Sequence, residues 1–431
     1  MSQRAAAVGL DFGTTNSAIA IAERENPPRL ARFTSVDGGQ TSDTMRSILF
    51  FAAEPEVGEP GVYAGNQAIA QYLSSGATGR LIQSLKSFLA DRLFRDTNIM
   101  GNMYSLEDLI TPILATLSRA AVEQFGELPE RIVVGRPVRF SAAHTKEDDD
   151  LATTRLEVAL RRAGFRNVAF EYEPVAAAYH YASTIATDEL ILVADFGGGT
   201  SDFSIVRIRP HTSSELRYDI LANDGVAIAG DAFDGEIVRH LVASELGRGS
   251  RYKTPYGQVL PMPTSFYAQL ERWHYFSFLK ARATMERIRD LERQALEPEK
   301  IRALIHIVEN DLGYMLFRSI ELTKIGLSES EETVFAFSDP PIAINRSVQR
   351  KAFEQWIARE LNEIAGCVDR VMEAAGAAAD DIDTVFMTGG SSFVPAVREI
   401  FLSRFGDEKL RTGNEFTSVA RGLALRALEL D

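Results

Sequence analysis

The stretch VADFGGGTSDFSIV, residues 193–206, decides how this chain is read. An apolar run stops at Asp195, turns on Gly197, Gly198 and Gly199, and resumes after Thr200 as an alternating run. That pattern predicts a β-hairpin with a carboxylate at the end of its first strand. Glycines leave the amides of such a turn open, because no Cβ stands in front of them. A row of open amides forms a concavity suited to phosphate oxygens.

The pattern occurs twice. DFGTTNS at residues 11–17 falls on DFGGGTS at 195–201, and both follow an apolar strand and precede an alternating one. Thr14, Thr15 and Thr200 add hydroxyl donors to the two turns. Facing hairpins would bring Asp11 and Asp195 to one point, where two carboxylates repel a phosphate unless Mg²⁺ stands between. One glycine turn is an ordinary tight hairpin. The matched pair predicts Mg-nucleotide held in a cleft between the halves of a duplicated fold. The same DFG triplet occurs in protein kinases, but no HRD loop or VAIK strand accompanies it here. A third glycine turn, VFMTGGSSFVP at 385–395, could admit a nucleoside against bare backbone at Gly389 and Gly390.

The bulk properties agree with a soluble globular protein. The chain has 431 residues, enough for two to three domain-sized units at roughly 150 residues each. Its net charge of −14 argues against nucleic-acid binding as the main activity, since such proteins carry a basic stripe. No apolar run reaches transmembrane length and no leader segment stands out, so a cytoplasmic protein with no membrane partner is expected. Cys367, the one cysteine, reads as a buried small hydrophobe. Asp148, Asp149 and Asp150 open a helix, where the macrodipole favours acids, and so read as capping rather than metal binding. Strand and helix patterns mix throughout, which makes the class α/β.

Several motifs in order carry a resemblance: VGLDFGTTNSAIAI, LKSFLADRLF, VVGRPVRF, FEYEPVAAAYHYA, LVADFGGGTSDFSIV, IAGDAFD, IELTKIGLSES and VFMTGGSSFVP. From about Val8 to about Ala427 the chain resembles the ATPase domain of the Hsp70 chaperones, within the actin and sugar-kinase superfold. It is most similar to short bacterial Hsp70-like proteins of the YegD type. The resemblance implies a duplicated actin/Hsp70-like ATPase fold with two lobes. Lobe I would span residues 1–189, completed by a terminal helix at 415–431. Lobe II would span 190–414, with an enlarged helical subdomain at about 231–320.

The family's roles pass to matching positions. Gly13, Thr14, Thr15 and Asn16 resemble the first phosphate loop, and Gly197, Gly198, Gly199 and Thr200 the second. Asp11 and Asp195 resemble the aspartates that hold Mg²⁺ through waters. Asp202 resembles the further acid near the phosphate and monovalent-ion (K⁺) sites. Lys86 falls on the catalytic lysine, Glu173 on the glutamate at the attacking water, and Pro137 on a proline of the relay between them and the lobes. Gly230, Glu321, Lys324, Ser328, Gly389, Gly390 and Ser391 fall on positions lining the adenosine. The implied ligands are ATP or ADP with Mg²⁺. The implied activity is slow ATP hydrolysis, and the implied partners are a protein client or co-chaperone.

The departures set further expectations. Two arginines that flank adenine in the family read Ile325 and Phe393 here, so Phe393 would stack on the base. Phe416 replaces an aspartate near the return to the first lobe. The region between Asp231 and Glu321 exceeds the family's by about 50 residues, as two charged helices. With no peptide-binding sandwich before Asp431, a full chaperone cycle is not expected of this chain alone. Small-molecule kinases and actin-like filament proteins share the superfold. They carry Lys or Arg seven positions after the first aspartate, where this chain has Ala18, and that favours the Hsp70-like reading.

Overall fold

The computed structural model describes residues 6–24, 26–34, 41–55, 61–75, 79–182, 185, 187–209, 217–412 and 417–430. Phe416 lies outside them.

The repeat seen in the sequence becomes a repeat of sheets. In the first, Ala6–Phe12 lies antiparallel to Asn16–Glu23, which pairs with Asn26–Leu30. On its other side Ala6–Phe12 runs parallel to Arg131–Arg136 and then Asn167–Tyr172. In the second, Glu189–Phe196 is followed by Ser201–Arg209 and Arg217–Val226 on one side, both antiparallel. Thr384–Thr388 and Leu410–Thr412 run parallel on the other. Strand order and direction are therefore the same in both sheets. The registers correspond as well: Asp11 lies opposite Ala18, and Asp195 opposite Asp202.

Both central strands are buried along most of their length, and their sequences are near-continuous apolar runs for that reason. Helix Leu106–Phe125 covers the first sheet. It starts at a capping box in which Ser105 and Asp108 exchange side-chain and backbone bonds. Helix Lys146–Arg162 is capped the same way by Thr145 and Asp148. The acid cluster of the sequence thus ends as a cap: Asp148 also accepts from the backbone N–H of His144, while Asp149 pairs with Arg136 at 2.6 Å.

Two helices lie between the sheets. Glu173–Ala182 leaves the end of Asn167–Tyr172 without an intervening turn, and Ser418–Glu429 crosses it. They approach so closely that a Cβ on Gly422 would stand 1.6 Å from the carbonyl oxygen of Ala176. Val175, Ala177, Ile191, Val193, Phe386 and Leu423 are part of this shared core. Ser418–Glu429 also packs on Ala6–Phe12, so the last helix of the chain covers its first strand.

The second sheet carries an added region after Gly230. Helices Arg282–Gln294 and Pro298–Glu309 pack together there. The region is not wholly helical: Arg251–Lys253 and Val259–Pro261 form a small antiparallel hairpin within it. Its turn residues Pro255, Tyr256 and Gly257 lie inside a stretch whose short apolar runs are too brief to read as strands. Cys367 is buried on helix Ala358–Ala375.

Candidate functional site

Between the sheets lies a cavity of about 510 Å³. Both hairpin turns open into it. The first brings Asp11, Gly13, Thr14, Thr15 and Asn16, and the second brings Asp195, Gly197, Gly198 and Thr200. The two turns face each other closely: a Cβ on Gly198 would stand 2.6 Å from Thr15 Oγ1 and 3.3 Å from Asp231 Oδ1. None of Gly197, Gly198 and Gly199 needs a left-handed backbone. The glycine requirement at Gly198 therefore comes from the opposing loop rather than from the turn's own dihedrals.

Behind the turns stand two buried side chains. Lys86 sits on the short 3₁₀ turn Leu85–Phe88 and Glu173 on the first residue of helix Glu173–Ala182. Both are below a tenth exposed, and Lys86 Nζ donates to Glu173 Oε1 at 2.6 Å. Burial opposes the lysine's charge, but Glu173, Asp11 and Asp195 outweigh it and its pKa rises. Burial, then the charge of Glu173, pushes the Asp11 carboxyl up to about 7. The same two causes, with Asp11 and Asp202 added, raise Asp195 well above the usual carboxylate range. The cavity floor thus gathers more carboxyl groups than Lys86 alone can stabilise in their charged form.

A third set of residues lines the other end. Gly389, Gly390, Ser391 and Phe393 come from the third glycine turn, and Glu321, Lys324, Ile325 and Ser328 from helix Gly313–Glu329. Gly230 joins them: Ser391 Oγ and Lys324 Nζ lie 3.1 and 3.3 Å from the point where its Cβ would be. Lys324 is paired with Asp234 at 2.8 Å and donates to the carbonyl of Gly230 at 3.2 Å. Burial opposes the charge on Lys324 too, but Asp234, Glu321 and Asp231 raise its pKa. The Ser328 hydroxyl donates to the Lys324 carbonyl at 3.0 Å.

Two expected residues stand beside the cavity rather than on its lining. Gly199 does not line the cavity, and the point where its Cβ would stand is 3.1 Å from Ser141 Oγ and 3.6 Å from Ser87 Oγ. Asp202 is almost fully buried outside the cavity, and its carboxylate accepts the backbone N–H of Val138 at 3.0 Å. It ties the chain just past Pro137 to the second hairpin. Burial and Glu173 push its carboxyl up to about 7.

Other lining residues were not singled out from the sequence. Arg46 pairs with Glu321 at 3.2 Å, which joins the first sheet's strand Met45–Arg46 to helix Gly313–Glu329 across the cavity. Asp231 and Asp234 belong to the quoted motif IAGDAFD, so their position was available as a signal. Trp273, Tyr314 and Phe317 form an aromatic wall, with Trp273 edge-on to Phe317 at 4.5 Å. Tyr314 and Phe317 stand one turn apart on helix Gly313–Glu329, and Trp273 joins them from the 3₁₀ segment Trp273–Lys280, so the wall's contact with Trp273 is invisible locally.

The Hsp70 protein family model matches residues 83–251 and 306–430. The matched part contains the second hairpin, the Lys86 turn, Glu173, helix Gly313–Glu329 and the third glycine turn, while the added hairpin's second strand and helix Arg282–Gln294 fall in the gap between the two matched segments. Proteins of this family bind ATP and act as ATPases in chaperoning. On a match of this extent, with the repeated sheets and facing glycine turns it implies, the chain belongs to the Hsp70 family.

Proposed function

We propose that this chain is a slow Mg-dependent ATPase that works as an ATP-driven switch for a protein partner. Its two lobes would be the two sheets with their covering helices, residues 1–189 plus 415–431 and residues 190–414. One observation carries the reading: the two hairpin turns meet face to face, with Asp11 and Asp195 at their bases and Lys86 and Glu173 behind them.

The donor set fits a cation held through water. Asp11 and Asp195 are both driven up by burial and neighbouring negative charge, which a divalent ion would offset. Bound Mg²⁺ would supply charge between phosphate oxygens.

The chain's own residues would do the rest. Amides of residues 13–16 and of Gly198 and Thr200, with the threonine hydroxyls, hold the phosphates. Lys86 places a positive charge where the terminal phosphoryl group separates, and a loose transition state needs placed charge more than a strong base. Glu173 orients Lys86 and offers a carboxylate to the attacking water. Asp202, bonded to Val138, links the second hairpin to the segment after Pro137 and so connects the cavity to lobe movement. The nucleoside lies toward Lys324, Ser328 and Phe393.

The test is hydrolysis of Mg-ATP by Asp11→Asn and Asp195→Asn. Each should slow single-turnover hydrolysis on the order of 100-fold, with melting temperature close to the parent, since each removes charge placed for the transition state. Parental rates in both variants would remove the two-loop reading. Transfer of phosphate to a sugar or alcohol instead of water would replace the switch with a kinase, and ATP-dependent sedimentation would replace it with a filament protein.

A further inference from the structure

The nucleoside end of the cavity differs from its phosphate end in what it can recognise. At the phosphate end, charged groups are buried and aimed inward. At the other end, the two large side chains on the wall are Ile325 and Phe393, 45 % and 49 % exposed. They belong to different elements, helix Gly313–Glu329 and the 3₁₀ turn Gly390–Phe393. Their neighbours Lys324 and Ser391 converge on one point above Gly230, so the two elements close on the same space.

Resting on the nucleotide reading above, we infer that the site takes purine nucleoside triphosphates with little choice between adenine and guanine. A slot rejects the wrong base strongly only when its buried polar groups are left unpaired by it. Here the polar side chains are already committed or indifferent: Glu321 accepts from both Arg46 and Arg318, and the Ser391 hydroxyl can donate or accept. The ammonium of Lys324 is held by Asp234 and the Gly230 carbonyl. The hydroxyl proton of Ser328 is given to the Lys324 carbonyl, so this side chain meets a base as an acceptor. Glu329, on the same wall, is exposed and also accepts. Adenine presents an amino donor, and guanine an amino and a ring N–H, so either can face these acceptors. Stacking on the half-exposed Phe393 ring holds the base, and a π-face is common to every base.

Calorimetric titration of the full chain with ATP, GTP and CTP in the presence of Mg²⁺ tests this. GTP should bind within about tenfold of ATP, about 1.4 kcal/mol at most, with CTP weakest because its smaller ring stacks less. Phe393→Ala should weaken ATP and GTP by a common factor on the order of tenfold, and Phe393→Trp should preserve both. GTP binding more than 100-fold weaker than ATP would overturn this inference and leave the nucleotide reading standing. A loss confined to ATP in Phe393→Ala would also overturn it, since the ring would then be reading adenine. Failure of all three nucleotides to bind would overturn both.

Discussion

Gly198 has no room for a side chain, and the reason lies across the cavity. Its missing Cβ would stand 2.6 Å from Thr15 Oγ1, on the opposing loop. Gly198→Ala should therefore push the two turns apart by a fraction of an ångström rather than strain its own. We expect ATP affinity to fall at least tenfold while stability changes by about 1–3 kcal/mol, the usual cost of overpacking. Calorimetry and chemical denaturation on the same variant separate the two effects. At this scale the sequence was informative where chemistry repeats. Asp11, Asp195, Thr15 and Gly198 were legible because the pattern occurs twice, and Lys86 and Glu173 only through the family resemblance. Spacing alone leaves them an unremarkable lysine and an acid before proline, and nothing local says that they are buried against each other at 2.6 Å. Asp202 lies opposite Asp195 in the hairpin register and is close enough to act on the charge of Asp195. Its own carboxylate points to Val138, a contact 64 residues away in sequence.

The crossing of Glu173–Ala182 with Ser418–Glu429 fixes how the two sheets sit. Small residues make it possible: Gly422 lets the backbone at Ala176 approach, while Ala420 and Ala424 on the same helix pack against the first sheet at Gly9 and Ala20. Gly422→Ala would place a methyl group 1.6 Å from the Ala176 carbonyl, a clash with backbone that no rotamer relieves. We expect a loss at or above the upper end of the 1–3 kcal/mol range for overpacking, read as a lower denaturation midpoint with unchanged slope. Element type was largely legible, since the long periodic helices and the apolar central strands each follow their own period. Element ends were less so. The segment 351–376 reads as one helix but breaks at Ile357, between Arg350–Trp356 and Ala358–Ala375. Ile357 is fully buried at the break, so tertiary packing overrides a continuous helical pattern there. The small hairpin near Tyr256 was invisible for a related reason: three-residue strands carry too little alternation to detect.

Across the whole molecule, the cavity is bounded by parts that meet only in three dimensions. Arg46 reaches Glu321 over 275 residues of chain, and Tyr72 packs edge-on to Tyr314 at 5.6 Å. These contacts tie the first sheet's side to helix Gly313–Glu329; in the proposed switch they would part when nucleotide leaves. Arg46→Ala should accordingly speed release of a fluorescent nucleotide several-fold in stopped flow, with little effect on the hydrolysis step. An unchanged release rate would show that this pair does not limit opening. The duplicated architecture was legible from the repeat, whereas the aromatic wall was not, because Tyr314 and Phe317 share a helix face but nothing in the sequence relates them to Trp273, in an earlier segment. Among the described residues no helix is long and apolar enough to cross a membrane.

The central claim is that Lys86 acts on the chemical step of ATP hydrolysis while the loops, Mg²⁺ and nucleoside wall hold the ground state. Lys86→Ala, assayed for ATP affinity by calorimetry and for single-turnover hydrolysis, tests it most directly. Removing Lys86 strips Glu173 of its partner, so a thermal melt first establishes that the variant is folded; Glu173 lines the cavity and can be rehydrated. The account predicts affinity close to the parent and a hydrolysis rate lower by on the order of 100-fold or more. Hydrolysis at the parental rate, or a loss of affinity equal to the loss of rate, would contradict it.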